Sequence, residues 1–257
     1  ELEYPFHAFI TWGWHRQGEA KGAFVALPSP QLSAIRNAHR FRDDRMLFVG
    51  TALFACGHRF DSTPMPGHWA TYRKDKKTFI DGLATQPRRQ VVYCPYVRKD
   101  YGFEDGAYMS RAFPDLALFD GDLTAAMLGC RLLVLDHPGT TLYQAMAANV
   151  PLVCFWDDAR WPLSEQAEPS FGALRKVGIL FDNPDDATEQ INRIWPDIEA
   201  WWAGPDVQKA RRGFVENYAR TSPLWWVDWL RALTRLARET PHAGNNRALE
   251  KKERIKA

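Results

Sequence analysis

The sequence predicts an α/β fold in which helices cover a parallel β-sheet. Short apolar runs alternate with amphipathic stretches between about residues 88 and 202, and polar residues follow most of the runs. The composition is that of an ordinary globular protein, with 257 residues, 46% of them hydrophobic, and 33 Lys+Arg against 31 Asp+Glu. Collagen-like, disordered and disulfide-stapled classes are therefore excluded.

Five of the apolar runs are predicted strands. They cover residues 91–94, 116–119, 131–135, 151–155 and 179–181. The first run ends at Pro95, which lacks the N–H that a β-ladder needs. Helical spacing of apolar residues predicts helices at residues 123–130, 142–149, 171–177, 184–194, 198–202, 207–219 and 224–237. Together these elements predict a Rossmann-like domain over residues 85–237.

The residues before this domain carry weaker signals. Predicted strands cover residues 8–12 and 46–49, and predicted helices cover residues 32–39 and 72–83. Because residues 85–87 are expected to break the second of these helices, we place a domain boundary there. Residues 1–84 are predicted to be part of a separate N-terminal lobe, and the polar residues 238–257 a frayed tail.

Charge and hydropathy restrict the partners of the protein. The formal net charge is +2, but the stretch from Arg235 onward alone carries +4 and the remainder −2. A near-neutral body disfavours nucleic-acid binding, which needs clustered Lys and Arg. No apolar stretch approaches the roughly 18–20 residues of a membrane helix, and the N-terminus lacks a secretory signal pattern, so we expect a cytoplasmic protein. The basic tail is a candidate for peripheral contact with the inner face of an anionic membrane, and solvated disorder is the alternative.

The four cysteines favour neither disulfides nor a metal site. They are Cys56, Cys94, Cys130 and Cys154, and they lie far apart in or beside apolar segments. Neither a CxxC pair nor His/Cys ligand spacing is present, so we expect reduced thiols in the core. The sequence predicts no metal ligands and no cofactor.

The most informative motif follows the third predicted strand. It consists of Asp136, His137, Pro138, Gly139, Thr140 and Thr141. A glycine turn and two hydroxyls at a helix N-terminus offer free N–H groups and the positive end of the helix dipole, which favour an anion such as a nucleotide phosphate. The alternative is that Thr140 only caps the helix. Neither GxxxxGK[ST] nor GxGxxG is present, which disfavours a hydride-transfer enzyme.

Two further groups of polar residues are candidates for the same chemistry. Arg98 and Lys99, after the first predicted strand, could neutralise a phosphate or a substrate carboxylate. A proline-broken polar window upstream contains His58, Arg59 and Asp61. Asp61 could act as a nucleophile or base, and its two neighbours could contact a phosphate or carboxylate. The alternatives are solvated surface residues for the first group and a solvent-exposed turn for the second.

Three segments of the chain resemble a known family of enzymes. They are LLVLDHPGTTLYQAMAANVPLVCFWD at residues 132–157, the L-x-x-x-GIL pattern at residues 174–180, and IEAWW at residues 198–202. From about residue 11 to residue 236, the chain resembles the transferases of bacterial O-antigen and capsule loci. Within that group it is similar to the retaining β-Kdo transferases of glycosyltransferase family 99.

The resemblance implies a GT-B architecture, in which two Rossmann-like lobes face each other across a cleft and the C-terminal lobe holds the nucleotide. It implies metal-independent transfer of Kdo from CMP-Kdo to a growing glycan, with retention of configuration. Residues 136–141 would hold the CMP phosphate, and residues 93–98 would form the neighbouring cleft wall. Asp61 is the matching candidate for a covalent nucleophile in the first lobe. Gln144 stands where many GT-B enzymes have a Glu against the donor ribose, so an amide would replace that contact.

Two other functions remain open. A CDP-polyol phosphotransferase of the teichoic-acid type shares the lobe plan and the hydroxyl-bearing helix start, and His58 or His137 would serve it as the catalytic residue. A partial first lobe would instead suit a glycan-binding protein without turnover.

Overall fold

The computed structural model of the chain describes residues 8–15, 23–53, 66–96 and 104–239. Eight strands lie in the described residues: β1 (Ala8–Thr11), β2 (Ala23–Ala26), β3 (Met46–Val49), β4 (Val91–Cys94), β5 (Ala117–Leu118), β6 (Leu132–Leu135), β7 (Leu152–Phe155) and β8 (Leu180–Phe181). The described α-helices are α1 (Pro30–Ala34), α2 (Trp69–Gly82), α3 (Thr85–Arg89), α4 (Asp105–Ala112), α5 (Leu123–Gly129), α6 (Thr140–Ala148), α7 (Glu168–Lys176), α8 (Pro184–Ile194), α9 (Ile198–Ala203), α10 (Pro205–Tyr218) and α11 (Trp225–Glu239).

Six of the strands form one parallel sheet with the order β5-β4-β3-β6-β7-β8. From β3 the chain adds β4 and β5 on one side, then crosses back and adds β6, β7 and β8 on the other. Counted along the chain from β3, this is the strand order 3-2-1-4-5-6 of a doubly wound Rossmann sheet. The predicted α/β class and the Rossmann-like parallel sheet are therefore confirmed.

The position of β3 corrects the predicted separation of residues 1–84 from this sheet. β3 lies between β4 and β6, at the centre of the sheet, and each of its four residues is at most 5% exposed. A strand covered on both faces is an unbroken apolar run, as MLFV is. Such a run does not reveal which strands it will pair with, so the sequence analysis assigned it to a separate lobe.

Several element boundaries also differ from the prediction. The predicted strand at residues 116–119 is reduced to the two exposed edge residues of β5, and the predicted helix at residues 32–39 ends after Ala34. The helix α2 ends at Gly82, before residues 85–87 as expected, but these three residues begin the short helix α3, which was not predicted. Pro87 is tolerated there because the first turn of a helix does not need its N–H.

The two faces of the sheet carry separate cores. Alternate strand residues point to opposite faces, so Leu133, Leu135 and Cys154 join one cluster while Val134 and Phe155 join the other. The described cysteines Cys94, Cys130 and Cys154 are buried free thiols, as predicted, and Cys56 lies outside the described residues. Burial raises the pKa of Cys94 to about 11 and that of Cys130 to about 12.

The remaining two strands form a small parallel pair beside the main sheet. β1 and β2 pair in register, and Val25 and Leu27 pack against Ala232 of the C-terminal helix α11. The indole Nε1 of Trp229 donates a hydrogen bond to the carbonyl oxygen of Pro28 at 2.8 Å. The start and the end of the described chain are thus joined. Within the described ranges, no helix is long and apolar enough to cross a bilayer.

We predict that Phe48→Ala lowers the free energy of unfolding by about 3–5 kcal/mol, the usual cost of deleting a buried ring. The Phe48 ring lies 4.9 Å from Phe79, 5.3 Å from Tyr93 and 6.0 Å from Phe155, between ring centroids. Urea unfolding measures the loss. Leu118→Ala on the edge strand β5, where the side chain is 42% exposed, is the matched control and should cost less than about 1 kcal/mol. Equal losses in the two variants would contradict a central β3.

Candidate functional site

The candidate site lies at the carboxyl ends of β3 and β6. These are the strands between which the strand order of the sheet reverses. The two strands are hydrogen-bonded neighbours, and Val49 pairs with Leu135. Gly50 and Asp136, the next residues of the two strands, therefore leave the sheet side by side. In open parallel sheets the crevice at such a reversal is where ligands bind.

The start of α6 leaves its first amides without a side-chain cap. Gly139 is the N-cap residue, and Thr140 and Thr141 are the first two residues of the helix. The alternative that Thr140 is the cap is therefore wrong. Thr140 is exposed and Thr141 is half-buried. The positive end of this helix remains available to an anion.

Two other helices of the same sheet, α5 and α8, satisfy first-turn amides with a side-chain cap. The Asp122 carboxylate accepts hydrogen bonds from the amides of Thr124 and Ala125 at the start of α5. The Asn183 side chain caps α8, and two aspartates follow in its first turn. In contrast, α6 has no acidic residue in its first turn. Its N-terminus is the one next to the reversal point between β3 and β6.

Gly139 gives room to the imidazole of His137. A Cβ atom added to Gly139 would lie 2.6 Å from Nε2 of His137, closer than such atoms approach. On the other side of the ring, Nδ1 lies 2.9 Å from Oδ1 of Asp136. A carboxylate can only accept, so Nδ1 donates and Nε2 is the nitrogen turned toward Gly139. The glycine, the histidine and the aspartate of the motif thus form one packed unit.

A fully buried lysine lies behind this unit. Lys76 of α2 is 0% exposed, donates to the hydroxyl of Tyr93 at 2.6 Å and forms an ion pair with the Asp105 carboxylate. Its Nζ lies 3.7 Å from Oδ2 of Asp136, which is 2% exposed and has no hydrogen-bond partner among the described residues. Nε of Arg73 lies 3.2 Å from the other Asp105 oxygen. Two cations therefore face two buried carboxylates.

The protonation of this cluster follows from burial and from its charges. Burial pushes the pKa of Asp105 upward, but the Lys76 ammonium and the hydrogen bonds from Lys76, Tyr93 and Arg73 outweigh it and hold that pKa below its usual value. Burial, reinforced by the aspartate charges, raises the pKa values of Tyr72 and Tyr93 well above the usual value. The carboxylate is thus ionised and the phenols remain neutral donors.

The loop after β3 rests directly on the same cluster. The amide of Thr51 donates to the Tyr72 hydroxyl at 3.0 Å. A Cβ atom at Gly50 would lie 2.9 Å from the Lys76 nitrogen and would collide with the Tyr93 hydroxyl. Glycine is therefore required at position 50 for the lysine and the tyrosine to meet beneath this loop.

The loop after β7 covers the other side of α2. Arg160 forms an ion pair with Asp75, and the Trp161 ring lies edge-on to Tyr72 with 6.1 Å between centroids. Nε and Nη1 of Arg160 are buried and have no hydrogen-bond partner within the part of the chain that the structure describes. This loop therefore packs on α2, the helix that carries Lys76.

The predicted site residues divide into two groups. Those of the motif after β6 lie together as expected, and Gln144 follows Thr140 by four positions and shares its helix face. The other predicted residues, His58, Arg59, Asp61, Arg98 and Lys99, lie outside the described residues. Among the residues that are described, no group of three or more His, Cys, Asp or Glu side chains is arranged to hold a metal ion.

The sequence analysis missed the buried part of the site, namely Lys76, Asp105 and Arg160. For Lys76 a signal was present. The buried residues of α2 are Tyr72, Lys76, Phe79 and Ile80, which recur at helical spacing, so the lysine occupies a core position. A lysine on an apolar helix face is rarely fully buried unless it is paired.

Comparison with known proteins gives one family match. A family model described as LIC12162 family transferase matches residues 2–233. The chain matches no curated protein. Solved structures that match include that of WaaG, a glycosyltransferase involved in lipopolysaccharide biosynthesis, at 15% sequence identity and a TM-score of 0.40. The match covers 81% of this chain and 55% of that chain, so the present chain spans about half the length of that neighbour.

We predict that Asp105→Asn makes the protein less stable at pH 7 and flattens the loss of stability in acid. The folded-state pKa of Asp105 is depressed, so its contribution is complete above the unfolded-state pKa of about 3.9 and is lost as pH falls through the folded-state value. Urea unfolding at pH 7 and pH 3 should show a smaller difference between variant and wild type at pH 3. Asp81→Asn, on the exposed surface of α2, is the control. A difference that is equally large at both pH values would contradict this role of the carboxylate.

Proposed function

The chain belongs to the LIC12162 family of transferases, and from that premise we propose that it is a glycosyltransferase whose nucleotide-sugar donor binds at the start of α6. The single observation that carries the proposal is the glycine-capped helix N-terminus at the reversal point of a Rossmann sheet. The hydroxyls of Thr140 and Thr141 add donors at the same place. A phosphate group matches this set of donors in charge and hydrogen bonding.

The donor we propose is a CMP-activated acidic sugar, most specifically CMP-Kdo, and the acceptor is a growing bacterial surface polysaccharide. Support comes from the resemblance of residues 132–157 to the β-Kdo transferases. A CMP-sugar carries one phosphate, and one helix N-terminus with two hydroxyls supplies ligands for one phosphate. Gln144, one turn further along the same face, is the candidate for a contact to the ribose.

In the proposed reaction the bond between the anomeric carbon and the phosphate oxygen breaks, and CMP leaves with its electron pair. Negative charge grows on the phosphate, where the first amides and the dipole of α6 stabilise it. His137 can donate to it from Nε2 when that nitrogen is protonated, and Arg98 and Lys99 are proposed to supply further positive charge. These groups act without a metal ion, in keeping with the metal-independent reaction that the resemblance implies.

Retention of configuration requires a carboxylate on the opposite face of the sugar. We assign that role to Asp61, with His58 and Arg59 as its neighbours in the catalytic loop. The carboxylate attacks the anomeric carbon as CMP leaves. The oxygen of the acceptor hydroxyl then displaces the carboxylate and loses its proton to solvent. In the chain, this loop connects β3, the central strand of the main sheet, to α2.

A second candidate function is supported by the pairing of His137 with Asp136. A histidine held by a buried carboxylate is a suitable base for phosphoryl transfer from a CDP-polyol. That enzyme would bind CDP in preference to CMP, which separates the two candidates.

We predict that CMP binds the full chain and that Thr141→Val weakens the binding by about 1–3 kcal/mol, the value of a hydrogen bond to a charged group. Titration calorimetry with CMP, CDP, UDP and GDP measures both effects. The matched control is Thr124→Val, at the same position of the Asp122-capped helix α5, which should leave the CMP affinity unchanged. Preference for UDP or GDP would contradict the proposed donor, and an unchanged affinity in Thr141→Val would remove this threonine from the site.

We predict that Asp61→Asn abolishes sugar transfer and leaves CMP binding intact. The amide cannot attack the anomeric carbon, whereas the proposed ligands of the nucleotide at the start of α6 are unchanged. Transfer is measured by release of CMP in the presence of acceptor, and calorimetry measures binding. Turnover retained in the variant would refute the assignment of the nucleophile.

A further inference from the structure

We propose that Lys76 is a positioning residue that acts through Asp136 on His137, so that Nδ1 carries a proton and Nε2 is turned to the start of α6. The proposal rests on the proposed function, because it assigns this orientation to the residue next to the donor phosphate. Lys76 itself is completely buried and touches no ligand. Its influence reaches the site only through its partners.

The Asp136 carboxylate depends on Lys76 for its charge balance. One of its oxygens accepts from His137, while the other lies 3.7 Å from the Lys76 nitrogen and has no partner within hydrogen-bond distance and angle in the described ranges. Arg73 is the other cation of the cluster and pairs with Asp105. Among the described residues, Lys76 is therefore the cation that faces Asp136. A buried carboxylate without its cation is strongly disfavoured.

If that cation is removed, the protonation of Asp136 or of His137 has to change. Asp136 would take up a proton and present a donor to Nδ1, or His137 would take up a second proton and become the compensating cation. Either change removes the neutral imidazole with its proton on Nδ1. The groups that face Lys76 are Asp105, Asp136, Tyr72 and Tyr93, and the tyrosines stay protonated, so they cannot replace the missing charge balance.

The competing role of Lys76 is purely structural. Its ammonium also binds Asp105 of α4 and Tyr93 of β4, so its removal destabilises the fold in either case. Stability alone therefore does not test the proposal. Two measurements at His137 do, because a purely structural lysine leaves the ring nitrogens of that residue unchanged.

The first measurement is the tautomer of His137 in the full chain labelled with ¹⁵N-histidine. Long-range ¹H–¹⁵N spectra at pH 7.5 distinguish the two neutral forms and the cation, and the His137→Gln spectrum assigns the signal. We expect the Nδ1–H form in the wild type and its loss in Lys76→Met. In the double variant Lys76→Met/Asp105→Asn, a neutral amide replaces the carboxylate that the lysine would have balanced. Stability should therefore recover while the tautomer of His137 stays altered. Persistence of the Nδ1–H form in a folded variant would overturn the proposal.

The second measurement is a double-mutant cycle on the CMP affinity. Lys76→Met should tighten CMP binding about tenfold in the wild-type background, because either change in protonation puts a proton on Nε2 beside the phosphate, and should have no such effect in the His137→Gln background. An equal change of affinity in both backgrounds would show that the lysine does not act through the histidine and would overturn the proposal. The tautomer measurement needs no nucleotide. If wild-type protein fails to bind CMP, the proposed donor fails, and the spectra still decide the role of Lys76.

Discussion

The parallel pairing of β3 with β6 is the constraint on which the rest of the structure depends. The two strands meet in register from Met46 opposite Leu132 to Val49 opposite Leu135, so their loops leave the sheet together. The helices that follow them then run back along the sheet from adjacent points. Because both strands are buried on both faces, a slip in this register would displace the two cores at once. The location of the candidate site is thus a consequence of the core.

The charged cluster beneath the site adds geometric specificity to this arrangement. Lys76, Asp105 and Asp136 come from α2, the start of α4 and the end of β6, and Tyr93 joins them from β4. Burying these charges is costly, and the cost is offset only when all the partners are present. The cluster therefore favours one relative placement of four elements. It also ties the start of α4, which follows the first predicted strand, to the loop that carries His137.

The sequence predicted those features that depend on local pattern. The apolar runs at residues 131–135 and 151–155 are strands, and the polar segment after the first of them begins a helix, because short buried strands and helix starts have signals of their own. The pairing of β3 was not predictable in this way, since it joins residues more than forty and eighty positions apart in the chain. The burial of Lys76 was not predicted for a different reason. It stands in the charged stretch YRKDKK, and only its spacing from Tyr72 and Phe79 shows that it points inward.

The inward orientation of Asp136 explains how an acidic residue can adjoin a site for a phosphate. A carboxylate aimed at the α6 amides would satisfy them and repel an anion, as Asp122 does at the start of α5. Asp136 instead faces Lys76 on one side and His137 on the other, so its charge is balanced within the core. The helix start keeps its donors, and the negative charge acts only on the orientation of the imidazole. A lysine that the ligand never meets thus keeps the aspartate charge away from the helix start.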